Sequence, residues 1–78
     1  MKVEIITPEQ TLFEGEGSMV SLPGSDGGLG VLNNHAPLIS SLKKGVVRVK
    51  DSGGKEHRFE VKGGTVEVFK NKVTILAE

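Results

Sequence analysis

Glycine and proline cut this chain into segments that are too short for ordinary helices. The sequence contains 11 glycines and three prolines, and most stretches between them run for about five to eight residues, the usual length of β-strands. Within these stretches apolar and polar residues alternate, as in Val66-Glu67-Val68. A period of two is the pattern of a strand that buries one face. The sequence therefore predicts an all-β chain.

The turns between these stretches predict how the strands are arranged. Turn-forming residues that should connect antiparallel hairpins occupy positions 51–54, 63–64 and 70–72. Residues 11–22 are interpreted as two strands with a bulge or sharp bend at Gly15 and Gly17. Residues 39–42 are too few to assign to strand or helix. We expect one domain, residues 1–78, folded as a β-sandwich or flattened barrel of about eight to ten short strands.

Residues 22–45 stand apart from the alternating segments because glycine is concentrated there. We predict that most of this stretch is an irregular loop of defined shape that contacts a partner protein. A phosphate-binding loop is the alternative. Such a loop leads into a helix and usually ends in Lys followed by Ser or Thr, whereas the first lysine after these glycines is Lys43. Partner contact is therefore the preferred interpretation.

The candidates for catalysis do not form a recognisable site. Ser25, Asp26 and His35 carry the functional groups of a catalytic triad, but the sequence has no nucleophile elbow. We interpret His35 as hydrogen-bonding the loop backbone ahead of an Ala-Pro pair, with direct partner contact as the alternative. His57 is interpreted as a solvated strand residue. No pair of carboxylates has a spacing that indicates acid–base work, and we expect no enzymatic activity.

Composition excludes several other classes of function. Cysteine is absent, so disulfides and thiolate metal sites are ruled out, and two histidines alone do not complete a zinc site. Ten basic residues balance ten acidic ones, and the only aromatic residues are three phenylalanines, which argues against nucleic-acid binding. No apolar run approaches the roughly 20 residues of a membrane span. We expect a soluble, intracellular protein without cofactors, whose small core is supported by partners.

A specific motif runs through the middle of the chain. It consists of Leu-Pro-Gly at 22–24, Leu-Gly at 29–30 and His-Ala-Pro-Leu at 35–38. Further segments are Ile-Thr-Pro-Glu at 6–9, Gly-Val-Val-Arg-Val at 45–49, Gly-Gly at 63–64 and Val-Thr-Ile-Leu-Ala at 73–77. On these segments the chain resembles the N-terminal β-sandwich domain of the ATP synthase epsilon subunit over nearly its whole length.

This resemblance implies a fold, partners and a place in the cell. The fold would be two five-stranded sheets, and the domain would be a non-catalytic central-stalk subunit that links gamma to the c-ring and couples proton flow to ATP synthesis. It would lie on the cytoplasmic face of the bacterial inner membrane, without inserting into lipid and without binding nucleic acid. The implied contacts are Ser25, Asp26, Gly27 and Gly28 for the c-ring, and Thr7, His35 and Ser40 for gamma.

The chain departs from the family pattern in two ways that affect function. Its sequence stops at Glu78, where the family's C-terminal helical hairpin would begin, so inhibition and ATP binding by that hairpin are not carried over. Gly28 stands where many members have Glu, which removes a charge from the implied c-ring contact. The main rival is a lipoyl or biotinyl carrier domain, whose modified lysine sits at a hairpin tip. Lys70 and Lys72 lie near such a tip but lack the flanking residues typical of carriers.

Overall fold

The computed structural model describes residues 1–78 and contains eight β-strands connected by short turns. The strands are β1 (Lys2–Ile6), β2 (Thr11–Gly24), β3 (Gly27–Leu32), β4 (Leu38–Leu42), β5 (Gly45–Asp51), β6 (Glu56–Val61), β7 (Gly64–Phe69) and β8 (Lys72–Ala77). No helix of this structure has the length and apolar character needed to cross a bilayer. The predicted all-β class is confirmed.

The strands form one sheet that folds back on itself into a flattened sandwich. Their order is β1-β8-β7-β4-β2-β5-β6, with β3 paired to β2. A further pairing between β1 and β2 closes the ring. Every pairing is antiparallel except that of β1 with β8, which is parallel. Closure of the ring leaves few exposed strand edges, since closing a sheet is the main way to remove them.

Strand β2 accounts for one of the two strands by which the count of eight falls short of the ten implied by the resemblance. Residues 11–22, predicted as two strands, belong to one strand of 14 residues. The predicted bulge is present, because the register between β2 and β5 shifts between Gly17 and Met19. A Cβ atom at Gly17 would lie 2.9 Å from Val3 Cγ2. The missing side chain lets β2 bend over β1 without breaking, so one strand serves both layers.

The core lies between the two layers and is almost entirely aliphatic. No polar or charged side chain is buried in it. The alternating segments supply it as predicted: Val47 and Val49 from β5, and Val66 and Val68 from β7, are at most 2% exposed. The complete cluster is Met1, Val3, Ile5, Val20, Leu22, Val31, Leu42, Val47, Val49, Val61, Val66, Val68, Val73, Ile75 and Ala77.

The prediction that residues 22–45 are mostly irregular was wrong. Strands β2 and β3 form a hairpin in which Gly24 pairs with Gly27 across a two-residue tip. A Cβ at Gly24 would lie 2.5 Å from the Gly27 carbonyl oxygen, and Gly27 has a φ of 132°. The glycines therefore permit close strand pairing and a tight reversal. Only residues 33–37, between β3 and β4, form a longer connection.

The other predicted turns are in place. Strands β5 and β6 form a hairpin around residues 52–55, and β7 and β8 form one around Lys70 and Asn71. Lys70 and Asn71 have φ angles of 49° and 59°, the left-handed conformation of a tight hairpin turn. The unassigned residues 39–42 belong to β4, which pairs with β7.

Candidate partner-binding surface

Three large apolar side chains project from the outer face of strands β4, β7 and β8. Ile39 is 73% exposed, and Phe69 and Leu76 are each 54% exposed. Each lies on the opposite face of its strand from the core residues, because side chains alternate along a strand. A cluster of exposed aliphatic and aromatic residues on a small domain indicates a surface that binds another molecule.

These residues lie along a shallow furrow that crosses the outer face of the sheet. Four adjoining hollows make up the furrow, and each shares lining residues with the next: Thr65 and Leu76, then Ile39 and Glu67, then Pro37 and Phe69. Thr7 lines the hollow at one end and His35 lines the hollow at the other. Two of the three residues assigned to gamma contact thus border one continuous surface.

Thr7 organises the turn at its end of the furrow. Its hydroxyl donates to the Gln10 carbonyl oxygen at 3.1 Å, and accepts from the backbone N–H groups of Glu9 and Gln10 at 3.3 and 3.1 Å. The backbone N–H of Thr7 also donates to the Gln10 carbonyl at 2.8 Å. Thr7 therefore fixes the shape of the turn between β1 and β2 next to Leu76, as threonine hydroxyls commonly do in turns.

His35 fixes the loop at the opposite end, as predicted from the sequence. Its Nδ1 lies 2.7 Å from the Ala36 carbonyl oxygen. A carbonyl can only accept, so Nδ1 is the donor in this hydrogen bond. The imidazole is exposed beside the furrow. It remains available to a partner while its orientation is set by its own loop.

Two further contacts hold the loop of residues 33–37, and the sequence did not indicate either. The backbone N–H of Asn34 donates to Asn71 Oδ1 at 2.7 Å, which ties the loop to the β7–β8 turn. The amino group of Met1 donates to Asn33 Oδ1 and, at 3.1 Å, to the Gly17 carbonyl oxygen. Because Asn34 and Asn71 are 37 residues apart, only the folded topology brings them together.

Ser40 does not join Thr7 and His35 on the furrow. In the register of β4 and β7 it pairs with Val66, which is fully buried, whereas the exposed Ile39 pairs with Glu67. Alternation along β4 turns Ser40 toward the core side of the strand, where it is half-buried. Its hydroxyl donates to the Ser41 carbonyl oxygen at 3.2 Å. A role for Ser40 in partner contact stays a prediction.

The residues assigned to the c-ring lie at the end of the β2–β3 hairpin, with Ser25 and Asp26 at the tip and Gly27 and Gly28 at the start of β3. Ser25, Asp26, Gly27 and Gly28 are all exposed. The tip is braced from behind by β4, because Ser41 Oγ donates to Ser25 Oγ at 2.8 Å and the Ser25 N–H donates to the Ser41 carbonyl at 3.0 Å. The tip is therefore a projecting element of fixed position. A Cβ at Gly28 would meet no atom within 4 Å.

His57 is not the solvated residue that its sequence position suggested. Its Nε2 lies 2.9 Å from Asp51 Oδ2, and its ring is tilted against Phe13 with 5.1 Å between centroids. This hydrogen bond, together with those from the N–H groups of Lys55 and Gly53, holds the pKa of Asp51 below its usual value. The pair clamps the β5–β6 turn. It lies outside the furrow.

Comparison with known proteins identifies the family. The model of the ATP synthase delta/epsilon chain β-sandwich domain matches residues 1–78, the whole chain. The chain belongs to this family. It is 46% identical over 78 residues to the ATP synthase epsilon chain of Brevibacillus brevis, covering all of this chain and 59% of that protein. It thus spans little more than half the length of the curated relative it matches.

Solved structures of ATP synthases contain the same fold. A chain of the Euglena gracilis mitochondrial enzyme, solved with OSCP, F1 and the c-ring, aligns with a TM-score of 0.89 and 22% identity over 96% of this chain and 48% of its own length. A chain from the Tetrahymena thermophila central stalk and c-ring aligns with a TM-score of 0.80 and 21% identity over 99% of this chain and 62% of its own. The epsilon-type sandwich inferred from the motif is therefore confirmed.

Proposed function

We propose that this chain is a non-catalytic element of the rotating central stalk of an ATP synthase. In this role the furrow binds the gamma subunit and the β2–β3 hairpin tip rests on the c-ring. The domain then transmits rotation driven by proton flow toward the catalytic sites, and it lies at the cytoplasmic face of the bacterial inner membrane. Family membership supports the assignment, as do the two structural relatives, which come from assemblies that contain a c-ring.

The furrow is the observation that carries the proposal. A stalk subunit must hold its neighbour through many rotations, and exposed apolar side chains are the groups whose burial best stabilises a protein interface. Ile39, Phe69 and Leu76 are the largest of these along the furrow. Thr7 and His35, assigned to gamma from the sequence motif, border its two ends.

The hairpin tip suits a different kind of contact. It projects two residues beyond its last strand pair and presents small polar groups with one carboxylate, Asp26. Such a tip can follow the polar loops of a c-ring without burying much apolar surface, and its brace against Ser41 resists sideways displacement. The two surfaces therefore have different roles. The apolar furrow attaches the domain firmly to gamma, and the polar tip bears on the c-ring.

Isothermal titration of the chain into a matching gamma subunit tests the first contact. We expect 1:1 binding that is weakened about tenfold or more by Ile39→Lys, because the change places a charge within a desolvated interface. Leu32→Lys is the matched control, since Leu32 is 59% exposed on β3 and does not line the furrow. Absence of gamma binding by the folded chain, or equal losses in both variants, would contradict the assignment.

Reconstitution of the chain with gamma and the c-ring tests the second contact. Gly28→Trp, or deletion of residues 25–28, should leave gamma affinity unchanged and loosen attachment to the ring, measured as the fraction of complex retained on c-ring vesicles. Gly30→Trp is the control, because a Cβ at Gly30 also meets no atom within 4 Å but lies two residues further from the tip. Equal retention of the Gly28→Trp and unaltered chains would refute the role of the tip.

A further inference from the structure

Strand β6 is an open edge of the sheet. It pairs with β5 on one side and ends the strand order on the other. The N–H of Asp51 donates to the Lys55 carbonyl at 2.9 Å. Asp51 and Lys55 are therefore a hydrogen-bonded pair, and this pair shows which residues of β6 bond to β5. Hydrogen-bonded positions recur every second residue along an antiparallel pair. Odd-numbered residues of β6 therefore turn their backbone groups toward β5, and Glu56, Arg58 and Glu60 turn theirs outward.

The next even-numbered residue confirms this alternation. The N–H of Lys62 donates to the Glu78 carbonyl at 3.4 Å, on the side away from β5. The N–H and C=O groups of Arg58 and Glu60 have no strand beside them, because no strand follows β6 in the sheet. An exposed edge of this kind is a template for a further strand.

The charges along β6 are poorly compensated within one chain. Arg58 lies directly opposite Arg48 of β5, and like charges in this position destabilise a strand pair. The nearest carboxylate to Arg58 is Glu56, at the long distance of 4.0 Å between Nε and Oε2. Arg58 therefore carries a positive charge that a carboxylate arriving from the open side would offset.

We propose that β6 pairs antiparallel with β6 of a second copy of this chain, with the two-fold axis passing beside Phe59. In this register Arg58 of each copy faces Glu60 of the other. Both residues turn their backbone groups outward, so they also exchange the new main-chain hydrogen bonds. Each Arg58 gains a second carboxylate in addition to Glu56 of its own strand.

The order of charges selects this register over its neighbours. Centring the pair on Arg58 would place the two copies of Arg58 face to face, and centring it on Glu60 would do the same for Glu60. Centring on Phe59 also brings Glu56 toward Lys62 of the other copy, where main-chain pairing ends because the Lys62 N–H already bonds to the Glu78 carbonyl. Lys62 lies beside Lys44 in a shallow hollow of about 500 Å³ next to the end of β6. Glu60 also lines this hollow, so its two lysines and one carboxylate leave one net positive charge to favour the incoming carboxylate.

The contact involves one strand from each copy, so the dimer should be weak and sensitive to salt. Pairs of opposite charge at an exposed surface are screened as ionic strength rises. This inference does not depend on the proposed stalk role, since it uses only the open edge and its charges. The furrow and the hairpin tip lie on other strands and remain uncovered.

Sedimentation velocity over a concentration series, at low and high salt, tests the proposal. We expect a monomer–dimer equilibrium at low salt. R58E and E60R each set like charges against each other twice, and should raise the dissociation constant about tenfold or more, equivalent to about 1.4 kcal/mol. The double variant R58E/E60R restores opposite charges and should restore the dimer. Circular dichroism checks that all three variants fold.

Mixing the two single variants provides the sharper measurement. R58E alone and E60R alone should be mainly monomeric, but their mixture places acidic positions opposite basic ones at both sites and should form a heterodimer. Nonspecific aggregation, or a general effect of net charge, would not restore association only when the two variants are mixed. A chain that stays monomeric at all concentrations, single variants that dimerise like the unaltered chain, or a mixture that does not associate would each overturn the proposal.

Discussion

Gly64 is the position where one added methyl group should disturb the sheet most. Its φ is +138°, and a Cβ built there would lie 2.1 Å from the Leu76 carbonyl oxygen and 3.1 Å from Ala77 Cα. Both neighbours are backbone atoms of β8, which cannot rotate away as a side chain could. Gly64 also begins β7 and pairs with Leu42 of β4, so any displacement reaches two strand pairs.

The cost of Gly64→Ala follows from this geometry. Alanine at a strongly positive φ costs about 1–2 kcal/mol, and moving β7 away from β8 to relieve the clash weakens one or two backbone hydrogen bonds of about 1 kcal/mol each. The sum, about 3 kcal/mol, is a large part of the total expected for a domain of this length. We expect the midpoint of thermal unfolding to fall by about 12–24 °C.

Thermal unfolding followed by circular dichroism measures this effect, with Gly28→Ala as the matched control. Gly28 also lies at the start of a strand, but its Cβ would meet nothing within 4 Å and its φ is not positive. Gly28→Ala should leave the midpoint unchanged or raise it slightly, because alanine restricts the unfolded chain. A Gly64→Ala midpoint within about 4 °C of the unaltered protein, a shift below about 1 kcal/mol, would refute the reasoning.

Three other changes probe the loop, the core and the turn. Asn71→Ala should leave the core intact but speed hydrogen exchange at the Asn34 amide and weaken gamma binding, with exchange measured by NMR. Val66→Ala, at a site that is 0% exposed, should cost about 2 kcal/mol in denaturant unfolding. The His57 hydrogen bond holds the folded pKa of Asp51 below its usual value, so the carboxylate stabilises the fold at pH values above that usual pKa. That contribution is lost as pH falls through the folded pKa, so Asp51→Asn should flatten the acid limb of the stability profile.

The hairpins could be predicted because their signals are local. Val47 and Val49 alternate with charged residues inside one short segment, and a turn sequence follows at once. The same local reasoning failed for β3, because Gly27 and Gly28 have low strand propensity taken alone. Their strand conformation comes from pairing with the end of β2, whose Pro23 lies opposite Gly28. Tertiary pairing overrode local propensity there.

Only part of the candidate surface could be predicted from the sequence. Leu76 and Phe69 alternate with the buried residues of their strands, so each falls on the outward face, where the other residues are polar. Large apolar residues at such positions are a sequence signal for a binding surface. Their adjacency to Ile39 depends on β4 lying beside β7, a pairing between distant segments that alternation does not specify. The contact of Asn71 with the loop of residues 33–37 has the same origin. His57 was misjudged because its partner Asp51 lies across a turn, on the other arm of the hairpin.

The parallel pairing of β1 with β8 has a consequence for how the protein is made. Val3 and Ile5 lie beside Val73 and Ile75 in register, so the earliest strand to leave the ribosome must wait for the latest before the ring can close. Until then the apolar faces of both layers are accessible, and the contacts that complete the core are among the most distant in sequence. Such topologies fold slowly for their size. Native structure should therefore form after residue 77 has cleared the exit tunnel, and ribosome-bound chains ending before β8 should remain sensitive to protease.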